Sequence, residues 1–141
     1  LGGPTAEQRH YYEVTRRQIE ASIQAMRPGV PIKEIYLAQE AVLVDAGYSA
    51  FARWCRESGW SAIGHSLGLY IHEQPGITHA NETLMQPGMI LVIEPFISHG
   101  AVTPMYGALA KYGLEDVVLI TEDGHEVLTK EEYISHDLWV A

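Results

Sequence analysis

From Tyr12 to Met26 the inward-facing positions return every three or four residues. Tyr12, Thr15, Ile19, Ile23 and Met26 fall on one face of a helix. Thr5 followed by Gln8 forms a capping box ahead of them. Arg27-Pro28-Gly29-Val30-Pro31 ends that helix, because proline cannot continue the ladder and glycine suits the exit. A second helix is predicted over residues 32–46, with Ile35, Ala38 and Val42 inward and Gly47 as its C-terminal cap. Near Trp60 the period changes. Leu67, Leu69 and Ile71 alternate with smaller or polar residues, which is strand spacing. Met89-Ile90-Leu91-Val92-Ile93 follows Pro87-Gly88 and suits a strand buried on both faces. Val117-Val118-Leu119-Ile120 is another such run. It leads through Glu122-Asp123-Gly124, a hairpin signal, into Val127-Leu128. Two helices followed by strands, with no internal repeat or linker, give an α+β order in one unit over residues 1–141.

Composition supports a globular domain. Apolar residues make up 47 % and charged residues 19 % of 141 positions, enough for a core and unlike a disordered chain. No apolar run approaches the ~20 residues that span a bilayer, and the start does not read as a signal peptide, so no membrane partner is expected. Cys55 is the single cysteine. It excludes an internal disulfide and fits a reducing compartment, so a cytoplasmic location is expected. No zinc-type spacing surrounds it, and it reads as a small buried apolar side chain. The net charge of −9 argues against nucleic acid, whose affinity rests on Lys and Arg meeting phosphates. Trp54, Trp60 and Trp139 read as core or interface anchors.

The chemistry lies in the second half. His65 and His72 stand in Gly64-His65-Ser66-Leu67-Gly68-Leu69-Tyr70-Ile71-His72-Glu73, an odd number of positions apart. In a regular strand they would face opposite ways, so a shared pocket requires a bend or loop between them. Gly64 and Gly68 suit such a departure. Glu94 ends the run at Ile93, and Glu115 precedes Asp116 and the run at Val117. A carboxylate beside a buried strand needs a partner, because an ionised group held from water is costly. Ordinary salt bridges satisfy that need. So does a divalent metal, and His plus carboxylate ligation suits zinc, iron, cobalt or manganese.

Taken together, Gly64-His65-Ser66-Leu67-Gly68-Leu69, His72-Glu73-Gln74-Pro75, Gln86-Pro87-Gly88-Met89, Ile93-Glu94-Pro95 and Leu114-Glu115-Asp116-Val117-Val118 resemble the pita-bread metallopeptidases. That superfamily holds the Xaa-Pro peptidases, methionine aminopeptidases and creatinases. Gly3-Pro4-Thr5-Ala6-Glu7-Gln8-Arg9 resembles the segment just beyond their paired aspartates, so the likeness covers nearly the whole chain. It implies the C-terminal half of a pita-bread catalytic domain: two helices followed by a mainly antiparallel curved sheet, the N-terminal half lying outside these residues. By that resemblance His65, Glu94 and Glu115 are metal ligands, and Glu94 also serves as general base. His72 contacts substrate and steadies the tetrahedral intermediate, and His79, in Pro75-Gly76-Ile77-Thr78-His79, also reaches substrate. The implied reaction is hydrolysis of a peptide or small amide by metal-bound hydroxide between two divalent ions. The resemblance further implies a homodimer of the full-length form.

Two departures accompany the likeness. The superfamily's dinuclear site also uses two aspartates, and this chain has none before Asp45, which reads as a solvated helix residue. At most one ion, weakly bound, is expected in these residues, and the 141-residue chain alone is expected to be inactive, with exposed apolar surface where the other half would pack. Xaa-Pro peptidases usually carry arginine two positions before the final glutamate; here Gly113 stands there. An arginine's fork suits carboxylate recognition, which leaves the substrate open.

Two rivals compete. Gly64-His65-Ser66-Leu67-Gly68 fits the G-x-S-x-G elbow of serine hydrolases, with Asp116 or Asp123 and His125 in permitted order. An elbow serine, however, sits between a strand and a helix, and strand then turn is expected here. The other rival is a non-catalytic binding module, which would have no need of His65, Glu94 and Glu115 together. A zincin motif is excluded, since His72-Glu73 would need His where Gly76 stands.

Overall fold

The computed structural model describes residues 3–58, 63–98 and 111–129. Trp60 and Trp139, expected to be anchors, lie outside the described residues, as do Leu1 and Gly2. Helix α1 (Ala6–Ala25) starts from the expected capping box. The Gln8 N–H donates to Thr5 Oγ1 at 3.1 Å, and the Thr5 N–H donates to Gln8 Oε1 at 2.8 Å. Thr15, Ile19 and Met26 are buried as expected. Tyr12 and Ile23 are only half-buried, because Tyr11, Val14, Gln18 and Ser22 take the centre of the stripe. Tyr11 decides that rotation: its ring stacks on Tyr112 with centroids 5.0 Å apart.

Helix α2 (Lys33–Asp45) buries Ile35, Tyr36, Gln39 and Leu43; Ala38 and Val42, expected inward, flank that stripe half-buried. Gly47 lies just past the C-cap Ala46 with φ 87°, a left-handed turn that glycine makes without steric cost. A third helix follows, α3 (Ser49–Glu57), which the two-helix expectation did not contain. Phe51, Ala52 and Cys55 form its buried face. Phe51, Trp54 and Cys55 do carry helical spacing, but over only nine residues and with no proline or capping box to mark its ends. Arg56 of α3 pairs with Glu40 of α2, tying the two helices together. Asp45 is exposed and meets Arg17 at 2.5 Å, a solvated position as expected.

The strands are β1 (Gly64–Ser66), β2 (Glu73–Gly76), β3 (Ile90–Ile93), β4 (Phe96–Ser98), β5 (Lys111–Gly113), β6 (Asp116–Ile120) and β7 (His125–Val127). Five make one antiparallel sheet in the order β2-β1-β3-β6-β7, and β4 and β5 pair separately. The α+β order and the antiparallel curved sheet are therefore as expected. So is the Asp-Gly hairpin: Ile120 pairs with His125, and the Thr121 N–H donates to the Gly124 carbonyl at 3.1 Å. The continuous run in β3 is covered on both sides, with Leu91, Val92 and Ile93 all buried. The run in β6 buries only alternate residues, Asp116, Val118 and Ile120.

One expectation fails. Leu67, Leu69 and Ile71 do not continue a strand; β1 stops at Ser66, and residues 67–72 form a loop to β2. Leu69 is 98 % exposed and Ile71 70 %.

Two apolar clusters hold the helices to the sheet. Ile19, Met26, Ile32 and Ile35 pack on Leu91, Ile93, Val118 and Ile120. Tyr11, Val14, Leu43, Phe51 and Cys55 pack on Phe96 and Ile97. Trp54 stacks on Phe51 at the margin of the second cluster, with ring centroids 5.8 Å apart, in the anchoring role expected of it. Burial pushes the Cys55 thiol from 9.0 up to about 12, as befits an inert apolar side chain.

Candidate metal centre and its cleft

The site is built where two strands change sheets. In the large sheet Ile93 of β3 pairs with Asp116 of β6; in the small one Phe96 of β4 pairs with Gly113 of β5. The four strands are thus one long bent hairpin, with Glu94-Pro95 on one arm and Leu114-Glu115 on the other at the joint. Pro95 has no N–H to give a ladder, which suits a break there. The joint is not loose. The Glu94 N–H donates to the Ile63 carbonyl at 3.0 Å and the Leu114 N–H to the Pro95 carbonyl at 3.3 Å. Glu94 and Glu115 consequently line one open cleft of about 280 Å³, together with Pro95, Gly113 and Leu114. The other cavity described, lined by Gln18, Tyr36, Gln39 and Cys55 among others, offers about 10 Å³. That is room for roughly one water, too little for a substrate.

His65 reaches the same joint from β1, paired with Val92 of β3. Its neighbour Gly64 permits the approach: a Cβ there would overlap the Val92 carbonyl oxygen. The ring's Nδ1–H donates to the Ser66 carbonyl at 3.0 Å. That bond engages Nδ1 and leaves Nε2 turned toward the joint. Nε2 lies 3.4 Å from Glu94 Oε1, with the histidine 12 % and the glutamate 41 % exposed. A lone pair facing a carboxylate is repulsive unless a proton or a cation lies between them. His72 comes from the loop between β1 and β2, and its ring meets His65 edge-on, centroids 4.4 Å apart. The bend that a shared pocket required is this loop.

His79 goes elsewhere. Its ring packs edge-on against Tyr36 of α2, centroids 5.6 Å apart, and its Nδ1 is buried without a partner. The described contacts place it with α2 rather than with His65 and Glu94. Asp116, weighed above only as the acid of a serine elbow, is buried beside the joint, and its Oδ1 accepts a 2.6 Å bond from Thr129.

The donor set fits a divalent ion in type, an imidazole nitrogen facing a carboxylate, with a second carboxylate on the wall of the adjoining cleft. It does not fit in number. Among the described residues no three His, Cys, Asp or Glu converge on one point. A pair of ions would need ligands from outside these residues.

The serine elbow is not assembled. Ser66 is buried and its Oγ donates to the Pro75 carbonyl at 3.3 Å, while His125 Nδ1–H donates to the Met26 carbonyl at 2.9 Å. Asp116 and Asp123 each accept from a threonine.

The sequence profile of the metallopeptidase family M24 matches residues 1–122. The chain belongs to that family. It is 33 % identical over 132 residues to the Xaa-Pro dipeptidase of Pyrococcus furiosus, an overlap of 94 % of this chain and 34 % of that protein. An uncharacterized peptidase of Staphylococcus aureus is 31 % identical over the same length, with the same coverage. Among solved structures, the prolidase from Pyrococcus furiosus matches with a TM-score of 0.75 and 33 % identity, over 92 % of this chain and 34 % of that one. A dipeptidase from Mycobacterium ulcerans gives 0.75 and 32 %, over 92 % and 31 %. The M24 chain thus spans about a third of the length of these relatives, and its fold is that of the C-terminal half of the pita-bread domain.

Proposed function

We propose that these residues are part of the catalytic domain of a metal-dependent peptidase of the Xaa-Pro dipeptidase or aminopeptidase type. The observation that carries the reading is the joint of the bent hairpin, where Glu94 and Glu115 share a cleft and His65 turns its free Nε2 to Glu94. His65, Glu94 and Glu115 would hold divalent ion, two ions in the full-length protein when upstream ligands join them and at most one, weakly, here. Bound ions, of manganese, cobalt, iron or zinc, supply Lewis acidity and a lowered water pKa. Glu94, two-fifths exposed on the cleft, takes the proton from the attacking water. His72, exposed beside His65, donates to the developing oxyanion of the scissile amide. Ser66 and the Nδ1 bond hold the His65 ring while this happens. Gly113 lines the cleft where Xaa-Pro peptidases usually carry an arginine, so no cation is presented from that position, and the substrate is kept as a peptide or small amide. The family's kinship to enzymes acting on short peptides supports that class.

The same reading keeps the 141 residues alone inactive, the full-length form a cytoplasmic homodimer, and His79 a substrate contact only if its ring leaves Tyr36. Chelator treatment of the full-length protein, followed by readdition of Mn²⁺, tests it on Xaa-Pro dipeptides and longer peptides. Hydrolysis should vanish and return, and Glu94→Gln should lower kcat by about a hundredfold or more. Chelator-resistant hydrolysis, with fluorophosphonate labelling of Ser66, would sink the proposal in favour of the serine enzyme. Absence of any hydrolysis would favour a binding module.

A further inference from the structure

We infer that Glu73 is a positioning residue whose carboxylate locks the loop of residues 67–72, so that the His72 ring is held against His65. The catalytic consequence rests on the proposed function; the positioning itself does not. The loop leaves the sheet once the Leu67 N–H has donated to the Ile90 carbonyl at 3.0 Å. Beyond that point burial holds nothing, since Leu69, Tyr70, Ile71 and His72 are all exposed. A loop with four exposed side chains needs another restraint to keep one conformation. The restraint is polar and local. The Gly68 N–H donates to the Tyr70 carbonyl at 3.3 Å, and the Tyr70 N–H donates to Glu73 Oε1 at 2.8 Å. Glu73 is itself fixed as the first residue of β2, opposite Ser66, where the register slips between His65 and Ser66. Its side chain therefore reaches back from the sheet into the turn, joining the loop to β2, the strand paired with the one that carries His65.

Gly68 supplies the room. A Cβ at that position would overlap all three atoms of the Glu73 carboxylate. Its backbone is outside the left-handed region, so what the glycine supplies is the space in which the carboxylate sits and not a special torsion angle. Gly68 and Glu73 are thus two halves of one clasp, and His72, adjacent to Glu73, inherits its place from it. A hydrogen bond from a backbone N–H to a carboxylate is among the stronger kinds, which suits the main restraint on an exposed loop.

Three variants of the full-length protein test the clasp. Glu73→Ala removes the acceptor, Gly68→Ala expels the carboxylate, and Glu73→Gln keeps an acceptor oxygen at the same reach. The readouts are the proton–proton cross-peak between the His65 and His72 rings, kcat and KM on a cleaved peptide, and the melting temperature. Glu73→Ala and Gly68→Ala should lose the cross-peak and lower kcat about tenfold or more, with KM and melting temperature nearly unchanged. Glu73→Gln should retain the cross-peak and most of kcat. The inference is overturned if Glu73→Ala and Gly68→Ala keep the cross-peak, or lose it only in step with melting temperature, or if Glu73→Gln behaves like Glu73→Ala. Should the wild-type protein cleave no peptide, the proposed function falls, and the cross-peak still decides the role of Glu73.

Discussion

The β3–β6 ladder and the loop of residues 67–72 both carry large apolar side chains, and they end in opposite environments. Leu91, Ile93, Val118 and Ile120 lie under α1 and α2, sealed between sheet and helices. Leu69, Tyr70 and Ile71 stand in solvent beside the candidate site. The ladder is held by backbone pairing along its whole length and by burial. The loop is held by a few local polar contacts, chief among them the Glu73 carboxylate seated against Gly68. Stability therefore comes from the first region and the placement of His72 from the second, so a change that damages one should spare the other.

The largest expected effect breaks the comparison at its strong end. Leu91→Ala should cost about 2–5 kcal/mol in urea unfolding, by lost burial plus the cavity left behind. Gly64→Ala comes next. Forcing β1 away from the Val92 carbonyl should cost about 1–3 kcal/mol and also move His65 off Glu94, which a crystal structure of the variant would show as a longer Nε2–Oε1 distance. The buried thiol gives a smaller effect, seen as pH dependence. Cys55 is raised from 9.0 to about 12 and Tyr36 from 10.0 to about 12, each chiefly by burial. As pH rises past 9 the unfolded state loses the Cys55 proton while the folded state keeps it, so stability is full below 9 and falls toward 12. At pH 10 the loss from Cys55 should be about 1–2 kcal/mol, and Cys55→Ala should flatten that part of the curve. Smallest is Leu69→Ala, within about 0.5 kcal/mol, since the side chain has little burial to lose.

The two regions also explain what sequence reasoning reached. The capping box at Thr5 and Gln8, the proline stop, the run ending at Ile93 and the Asp-Gly hairpin were all legible, because each is decided by residues within a few positions of one another. The site residues His65, Glu94 and Glu115 were legible as chemistry beside apolar runs, and through their resemblance to a peptidase family. The strand expected through Leu69 and Ile71 was not there, because alternation cannot distinguish a buried edge from a tethered loop. The third helix was missed although Phe51, Trp54 and Cys55 carry its period, because the segment is short and has no side-chain cap to announce it. Glu73 was read only as a neighbour of His72; its partner Tyr70 is three positions back, but the cradle at Gly68 exists only once the chain has turned.

The sequence by itself determined the first two helices, the apolar strands β3 and β6, the Asp-Gly hairpin, the inert character of Cys55 and the side chains chemically able to meet a metal, since these follow from local propensity and side-chain chemistry. Only the tertiary structure decided which of them meet. It bent β3–β4 and β5–β6 at one level, so that glutamates 21 positions apart share a cleft. It set His65 Nε2 on Glu94, drew His72 in and left His79 on Tyr36. Those outcomes depend on strand register and on the packing of the helices against the sheet, both of them long-range, and no window of neighbouring residues contains them.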